Sequence, residues 1–96
     1  MERQVWKFAI DSPASAAAIV MPRGAEVLSV GVQHDVICLW ALVDPNAPYE
    51  ARSFRIAGTG HLILDAAETD RFLGTIQLAG GNLIFHVWEL RKDEGG

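Results

Sequence analysis

The chain has 96 residues, of which half are apolar and about a fifth are charged. This length and composition exclude a multidomain enzyme, a disordered tail and a collagen-like rod. Twelve acidic and eight basic residues give a net charge of −4, so we expect no direct binding to nucleic acid, whose phosphate backbone attracts basic proteins. The apolar share is large enough to leave surface for a partner, and we therefore predict a homo-oligomer.

Cysteine usage and hydropathy bear on the compartment in which the protein works. Cys38 is the only cysteine, so no internal disulfide can form, which fits a reducing cytosol. It lies in an apolar run, where a cysteine is ordinarily buried and inert. We recognise no signal peptide, and no stretch approaches the roughly 20 apolar residues of a membrane span. We therefore expect a cytoplasmic protein that has no membrane partner.

Alternating apolar and polar residues predict strands along most of the chain. The predicted strands span residues 5–10, 16–21, 27–33, 36–43, 52–57, 72–78 and 83–90, with a short addition at 62–64. Turn residues separate them at 11–13, at 22–24 and at 44–48, where two prolines exclude helix and central strand. About seven short antiparallel strands joined by hairpins predict an all-β fold, a small sandwich or barrel with one short helical turn.

The same alternation assigns side chains to faces, because successive residues of a strand point to opposite sides. The expected inward rows are Trp6, Phe8 and Ile10; Leu28, Val30 and Val32; and Phe54 and Ile56, with Arg55 outward. Residues 36–43 are apolar without interruption. That strand is predicted to be buried on both faces, or buried on one face and covered by a partner on the other.

Three connections have distinctive chemistry. Gln33-His34-Asp35 predicts a short hairpin, and Gly80-Gly81 supplies the positive φ of a tight hairpin turn between the last two strands. Residues 65–71 are the one helix-like stretch, in which Asp65 is placed to cap a single turn. We predict one β domain over residues 5–90 and a frayed polar tail at 91–96.

No motif for catalysis or metal binding is recognisable. The histidines His34, His61 and His86 stand alone, without the Cys-x-x-Cys or His-x-x-x-His spacing of metal sites. No serine has the glycine flanks of a Gly-x-Ser-x-Gly nucleophile. We therefore predict that the protein is not an enzyme and that it uses no metal and no cofactor.

Residues 58–61, Gly-Thr-Gly-His, are the most suggestive local feature. Successive amides of a glycine-rich turn can bind an anion, Thr59 adds a hydroxyl, and two arginines precede the turn. The predicted site for an anionic ligand such as a nucleotide consists of Arg52, Arg55, Gly58, Thr59, Gly60 and His61. The alternative is that the two glycines simply turn the chain between strands.

Two tryptophans are predicted interface residues. Trp40 lies in the fully apolar run, and Trp88 shares a strand face with His86. Rows of aromatic side chains can also stack nucleobases, but such platforms come with a basic groove, which the acidic balance of this chain does not favour. Packing in the core is the alternative for most of the aromatic residues.

Several motifs together resemble a family of small phage and prophage proteins. They include residues 37–45 (ICLWALVDP) and 58–61 (GTGH), with shorter runs on either side, and they span about residues 5–89. The resemblance implies a phage origin and no assigned enzymatic activity. Small phage proteins of this size are often virion accessories or antagonists of host defence, a step that rests on analogy.

We therefore expect a non-enzymatic binding protein that acts in the host cytoplasm. Its expected partner is a host defence protein, which it would inhibit as an anti-CRISPR does. Two alternatives stay open. One is a protein that sequesters a nucleotide signal in an anion pocket near residues 55–61, and the other is an accessory of virion structure or assembly.

Overall fold

The computed structural model describes residues 2–10, 16–63 and 70–90. Within them the chain forms seven strands, which confirms the all-β prediction. In chain order the strands are β1 (Gln4–Ile10), β2 (Ala16–Pro22), β3 (Glu26–Gln33), β4 (Val36–Val43), β5 (Tyr49–Gly58), β6 (Arg71–Leu78) and β7 (Leu83–Glu89). None of the described helical segments is long and apolar enough to cross a membrane.

The strands form two antiparallel sheets, one in the order β1-β4-β3 and the other in the order β2-β5-β7-β6. Apolar side chains from both sheets meet between them, and the largest fully buried ones include Phe54, Met21, Leu39, Val43 and Val87. The predicted inward row of β5 is thereby confirmed, because Phe54 and Ile56 are buried. Trp6 and Phe8 of β1 pack against the same core beside the buried Ile10, as predicted.

The two sheets come closest where β3 and β6 lie side by side. A Cβ atom placed on Gly74 of β6 would be 2.8 Å from Cγ2 of Val30 on β3, well inside the ordinary contact distance of roughly 3.5–4.0 Å. Glycine is therefore required for this approach. A bulge in β6 between Phe72 and Gly74 shifts its register against β7 at the same place.

The faces predicted for β3 are wrong at its beginning. A bulge between Val27 and Ser29 puts two residues of β3 opposite Trp40, and one extra residue reverses the alternation that precedes it. As a result Val27 is buried whereas Leu28 is 51% exposed. After the bulge Val30 and Val32 face the core, as expected.

The short hairpin between β3 and β4 is confirmed as a two-residue turn. Gln33 pairs with Val36, and the intervening His34 and Asp35 have φ angles of 52° and 62°. Two consecutive positive φ angles define a type I′ turn, whose twist matches that of the flanking strands. The predicted turn at 22–24 is also present, with Gly24 at φ 80°.

Most of the helical turn predicted at residues 65–71 falls outside the described residues. Residues 65–69 are outside the described residues, and Arg71 belongs to β6 rather than to a helix. Among the described residues the helical turn is a 3-10 segment, Ala79–Gly81, in the hairpin between β6 and β7. Gly80 and Gly81 have the expected positive φ, and Leu78 pairs with Leu83, so the loop has the four residues, 79–82, that the predicted strands leave between them.

The strand predicted at 62–64 is not formed where the structure describes it. Leu62 and Ile63 adopt no regular secondary structure, and residue 64 lies outside the described residues. The apolar run that suggested a strand instead leaves two exposed side chains, Leu62 and Ile63.

The apolar strand β4 is the centre of the three-stranded sheet; its inward side chains are buried, whereas its outward side chains are half-buried except for Cys38. Its inward side chains belong to the core, and Cys38 on the opposite face is a buried free thiol. On that face Lys7 of β1 donates a hydrogen bond to Gln33 Oε1 of β3. The Lys7 side chain must therefore cross β4 beside Cys38, and its alkyl stem helps to cover the strand.

Candidate functional site

The glycine-rich stretch forms a turn at the end of β5. His61 N donates a hydrogen bond of 3.0 Å to Gly58 O, and Gly60, the third residue of the turn, has a φ of 85°. This is a type II turn, which needs glycine or asparagine at the position of positive φ. At Gly58 a Cβ atom would be 2.8 Å from the His61 ring, so the exposed ring would have to move to make room for a side chain.

Main-chain contacts already use two amides of this turn. Thr59 N donates to Ile84 O at 3.2 Å, and His61 N donates to Gly58 O. An anion-binding nest needs successive amides that point together at the ligand. The turn therefore serves first to attach the end of β5 to β7.

His86 fixes the same turn from the outer face of the four-stranded sheet. Its Nε2 lies 2.7 Å from Thr59 Oγ1, and its Nδ1 lies 2.9 Å from Thr75 Oγ1 of β6. A neutral imidazole has one donor and one acceptor nitrogen, and a hydroxyl can serve either. Both ring nitrogens are thereby hydrogen bonded, and they connect the turn to β6 and β7.

Beside the turn lies an open depression of about 280 Å³. The residues that line it are Gly58, Thr59 and His61 from the turn, and Asn82, Leu83, Ile84 and Phe85 from the β6–β7 hairpin and β7. Among the residues that the structure describes, no arginine and no lysine contribute to this lining. His61 and Asn82 supply its main polar side chains, and the remainder is mostly apolar.

Four exposed apolar side chains lie in the segments that line this depression or directly follow them. Leu62 is 88% exposed, Ile63 36%, Leu83 50% and Ile84 38%. Leu83 and Ile84 line the depression, and Leu62 and Ile63 directly follow His61. We call these four residues the end patch. Leu83 and Ile84 are successive residues of β7 and point to opposite faces of the sheet, so the end patch includes both faces at this end. Exposed apolar side chains with polar neighbours are typical of surfaces that contact another molecule.

Arg52 does not lie with the rest of the predicted ligand site. Residues three apart in a strand point to opposite faces, so Arg52 is directed away from the side that carries Arg55. Its Nε and Nη2 donate to the two carboxylate oxygens of Glu89 at 2.6 and 2.9 Å. These hydrogen bonds raise the pKa of the Arg52 guanidinium above its usual value. Arg52 is a structural residue that ties β5 to β7.

Arg55 lies on the outward side of the four-stranded sheet, as predicted, but in the middle of that sheet. It pairs across the strands with Trp88, and its Nη2 is 3.6 Å from Asp70 Oδ2. Along β5 it is three residues, roughly 10 Å, from Gly58. The structure thus brings together Gly58, Thr59, Gly60 and His61, and separates them from both arginines.

The two tryptophans predicted for an interface lie on different sheets. Trp88 is half-buried on the outer face of the four-stranded sheet, and its ring packs edge-on against exposed Phe72 at 5.4 Å. Trp40 is half-buried on the outer face of the three-stranded sheet, where its ring covers Gly31. Their role in an interface stays a prediction.

The sequence patterns do not predict the end patch. Its two halves are about twenty residues apart along the chain, and the pairing of β5 with β7 brings them together. The signal that remained was the pair Leu62-Ile63 directly after a glycine turn. Its apolar character favoured a strand over an exposed loop. Among the described residues no group of three or more His, Cys, Asp or Glu side chains is placed to bind a metal.

Comparison with known proteins identifies the family of the chain. It belongs to the family described as "Domain of unknown function (DUF7352)", which matches residues 1–95. No curated protein and no solved structure matches the chain. The chemistry of the end patch and of the depression beside it therefore provides the basis for a functional proposal.

Proposed function

We propose that this protein is a non-enzymatic antagonist of host defence, of phage origin, and that it inhibits a defence protein by binding to it through the end patch. The observation that carries this proposal is the set of four exposed apolar side chains at this end of the sheet, two of which, Leu83 and Ile84, line the depression beside Gly58–His61. Burial of exposed leucine and isoleucine side chains by a partner is favourable, and it contributes about 25 cal/mol of binding free energy per Å² of apolar surface removed from water.

The local polarity favours a protein partner over a free anion. Among the described residues, neither arginine nor lysine lines the depression, and the Thr59 and His61 amides donate within the main chain. Few hydrogen-bond donors are therefore available to an anion, whereas an apolar side chain of a partner could pack against Leu83, Ile84 and Phe85. His61 and Asn82 supply hydrogen-bonding groups at the edge of such a contact.

The rigidity of the site also supports binding. Thr59 is held by His86 and by the carbonyl of Ile84, so the turn has little conformational freedom left to lose when a partner binds. A preorganised surface binds more tightly for the same contacts, because less entropy is lost on association.

The test is a protection assay in bacteria that each carry one anti-phage defence system, CRISPR systems included. Expression of the wild-type protein is expected to restore phage plating on at least one strain. The double variant Leu62→Ser/Leu83→Ser should lose this effect, and it should bind the purified defence protein at least about tenfold more weakly, which corresponds to about 1.4 kcal/mol.

A matched control comes from the opposite end of β5. Tyr49 is 56% exposed and lies nine residues, roughly 30 Å, from Gly58 along the strand. The variant Tyr49→Ser should keep full activity. Failure to relieve any defence system would contradict the proposed function, and equal activity of the double variant and the control would contradict the assignment of the end patch.

The two alternatives remain predictions with tests of their own. A panel of cyclic and ADP-ribose-type nucleotides that raised the melting temperature would favour sequestration of a nucleotide signal, since a ligand at a hundredfold excess over Kd stabilises by about 2.7 kcal/mol. Recovery of the protein in purified virions would favour the accessory role.

A further inference from the structure

A second surface lies on the outer face of the three-stranded sheet, away from the end patch. Residues that pair directly across neighbouring strands point to the same side. The outer face therefore consists of Val5, Lys7 and Ala9 on β1, Leu42, Trp40 and Cys38 on β4, and Glu26, Ser29 and Gly31 on β3. The term outer face, used without further qualification, denotes this set of residues on the three-stranded sheet.

The middle of the outer face is apolar. Leu42 and Trp40 follow each other along the central strand, Val5 is exposed beside Leu42, and the bulge places Leu28 opposite Trp40 together with Ser29. Aromatic and aliphatic side chains at the centre of a surface, with polar residues around them, have the arrangement of a protein–protein contact.

Two charges mark the opposite edges of this face. Apart from the Cys38 thiol, Lys7 and Glu26 are the ionisable side chains of β1, β3 and β4. Lys7 lies on the β1 edge opposite Trp40, and Glu26 lies on the β3 edge opposite Leu42. Along the strand direction the two positions differ by two residues, roughly 7 Å, which long side chains can span.

These charges distinguish between the ways in which two copies can stack face to face. A two-fold axis across the strands would place the β1 edges over each other and bring Lys7 near Lys7. A two-fold axis parallel to β4 places β1 over β3 of the other copy and brings Lys7 near Glu26. The second arrangement is the one with complementary charge.

We infer that the outer face binds a second copy of this chain about a two-fold axis parallel to β4. Trp40 and Leu42 lie at the centre against the same residues of the other copy. Lys7 exchanges its hydrogen bond with Gln33 for an ion pair with Glu26 of the other copy, and the symmetry forms this pair twice.

Sedimentation equilibrium of the full chain tests this inference. The wild type should have the mass of two chains. Lys7→Glu and Glu26→Lys should each raise the dimer Kd at least about tenfold, because both pairs become repulsive. Lys7→Glu/Glu26→Lys should recover the dimer, and an equimolar mixture of the two single variants should form a heterodimer, since every contact across the axis is then attractive.

The control is Arg71→Glu, which changes the net charge by the same amount on the other sheet and should leave the dimer intact. Circular dichroism verifies that each variant is folded. A wild-type mass of one chain at the highest soluble concentration would overturn the inference and leave the face to another partner. A dimer that survives both single reversals, or a mixture that stays monomeric, would overturn it as well. The outer face is separate from the end patch, so either result leaves the proposed function unaffected.

Discussion

The contact between Gly74 and Val30 provides a quantitative test of how the two sheets pack. In Gly74→Ala the new Cβ atom would lie 2.8 Å from Val30 Cγ2, so the strands must separate by about 0.7 Å or more to reach ordinary contact. Overpacking of this kind costs about 1–3 kcal/mol. For a domain of this size, 2 kcal/mol corresponds to a fall in melting temperature of roughly 10 °C.

Val30→Ala is the matched partner for a double-mutant cycle. Alone it should cost about 1 kcal/mol, since it removes two half-buried methyl groups. It also removes Cγ2, so Gly74→Ala should cost much less in the Val30→Ala background, with a coupling of about 1–2 kcal/mol. Urea unfolding followed by circular dichroism measures all four proteins. Additive losses would refute the reasoning, because they would mean that the two side chains do not compete for the same space.

Three further predictions concern stability, and each is measured by urea unfolding. Arg52→Met should cost about 2 kcal/mol because it leaves Glu89 unpaired. Because hydrogen bonding to Glu89 raises the pKa of Arg52, the contribution of the guanidinium charge is fully present at neutral pH and is lost as the pH rises through the raised pKa, so a loss on mutation that vanished at neutral pH would contradict this role. His34→Asn/Asp35→Gly should stabilise by about 0.5–1 kcal/mol, because Asn-Gly is the preferred type I′ pair; a destabilised variant would contradict the turn. Gly60→Ala should cost at least about 1 kcal/mol at its positive φ, and a neutral result would contradict the type II turn.

Local chemistry accounts for the parts of the fold that were predictable. Alternation and turn residues predicted the seven strands and the His34-Asp35 hairpin, because both depend on neighbours in the chain. The bulge at Leu28 was not predictable in this way. Apolar residues stand at Val27 and at Leu28, so either position suits the buried row, and packing against β4 decides between them.

The candidate site was predictable only in part. The turn at Gly58–His61 follows from its glycines, and the three-residue spacing of Arg52 and Arg55 already implies opposite faces of a strand. The end patch depends on the pairing of β5 with β7, which joins distant segments. No local pattern indicates that the segments that contain Leu62 and Leu83 lie at the same end of the sheet.

The three tryptophans occupy three different environments. Trp6 packs against the core, Trp40 lies on the outer face, and Trp88 packs against Phe72 on the four-stranded sheet. Variants that keep one indole and replace the other two with phenylalanine would therefore give separate fluorescence signals from the core, from the outer face of the three-stranded sheet and from the four-stranded sheet. The native chain thus contains its own set of optical probes, and no external dye has to be attached.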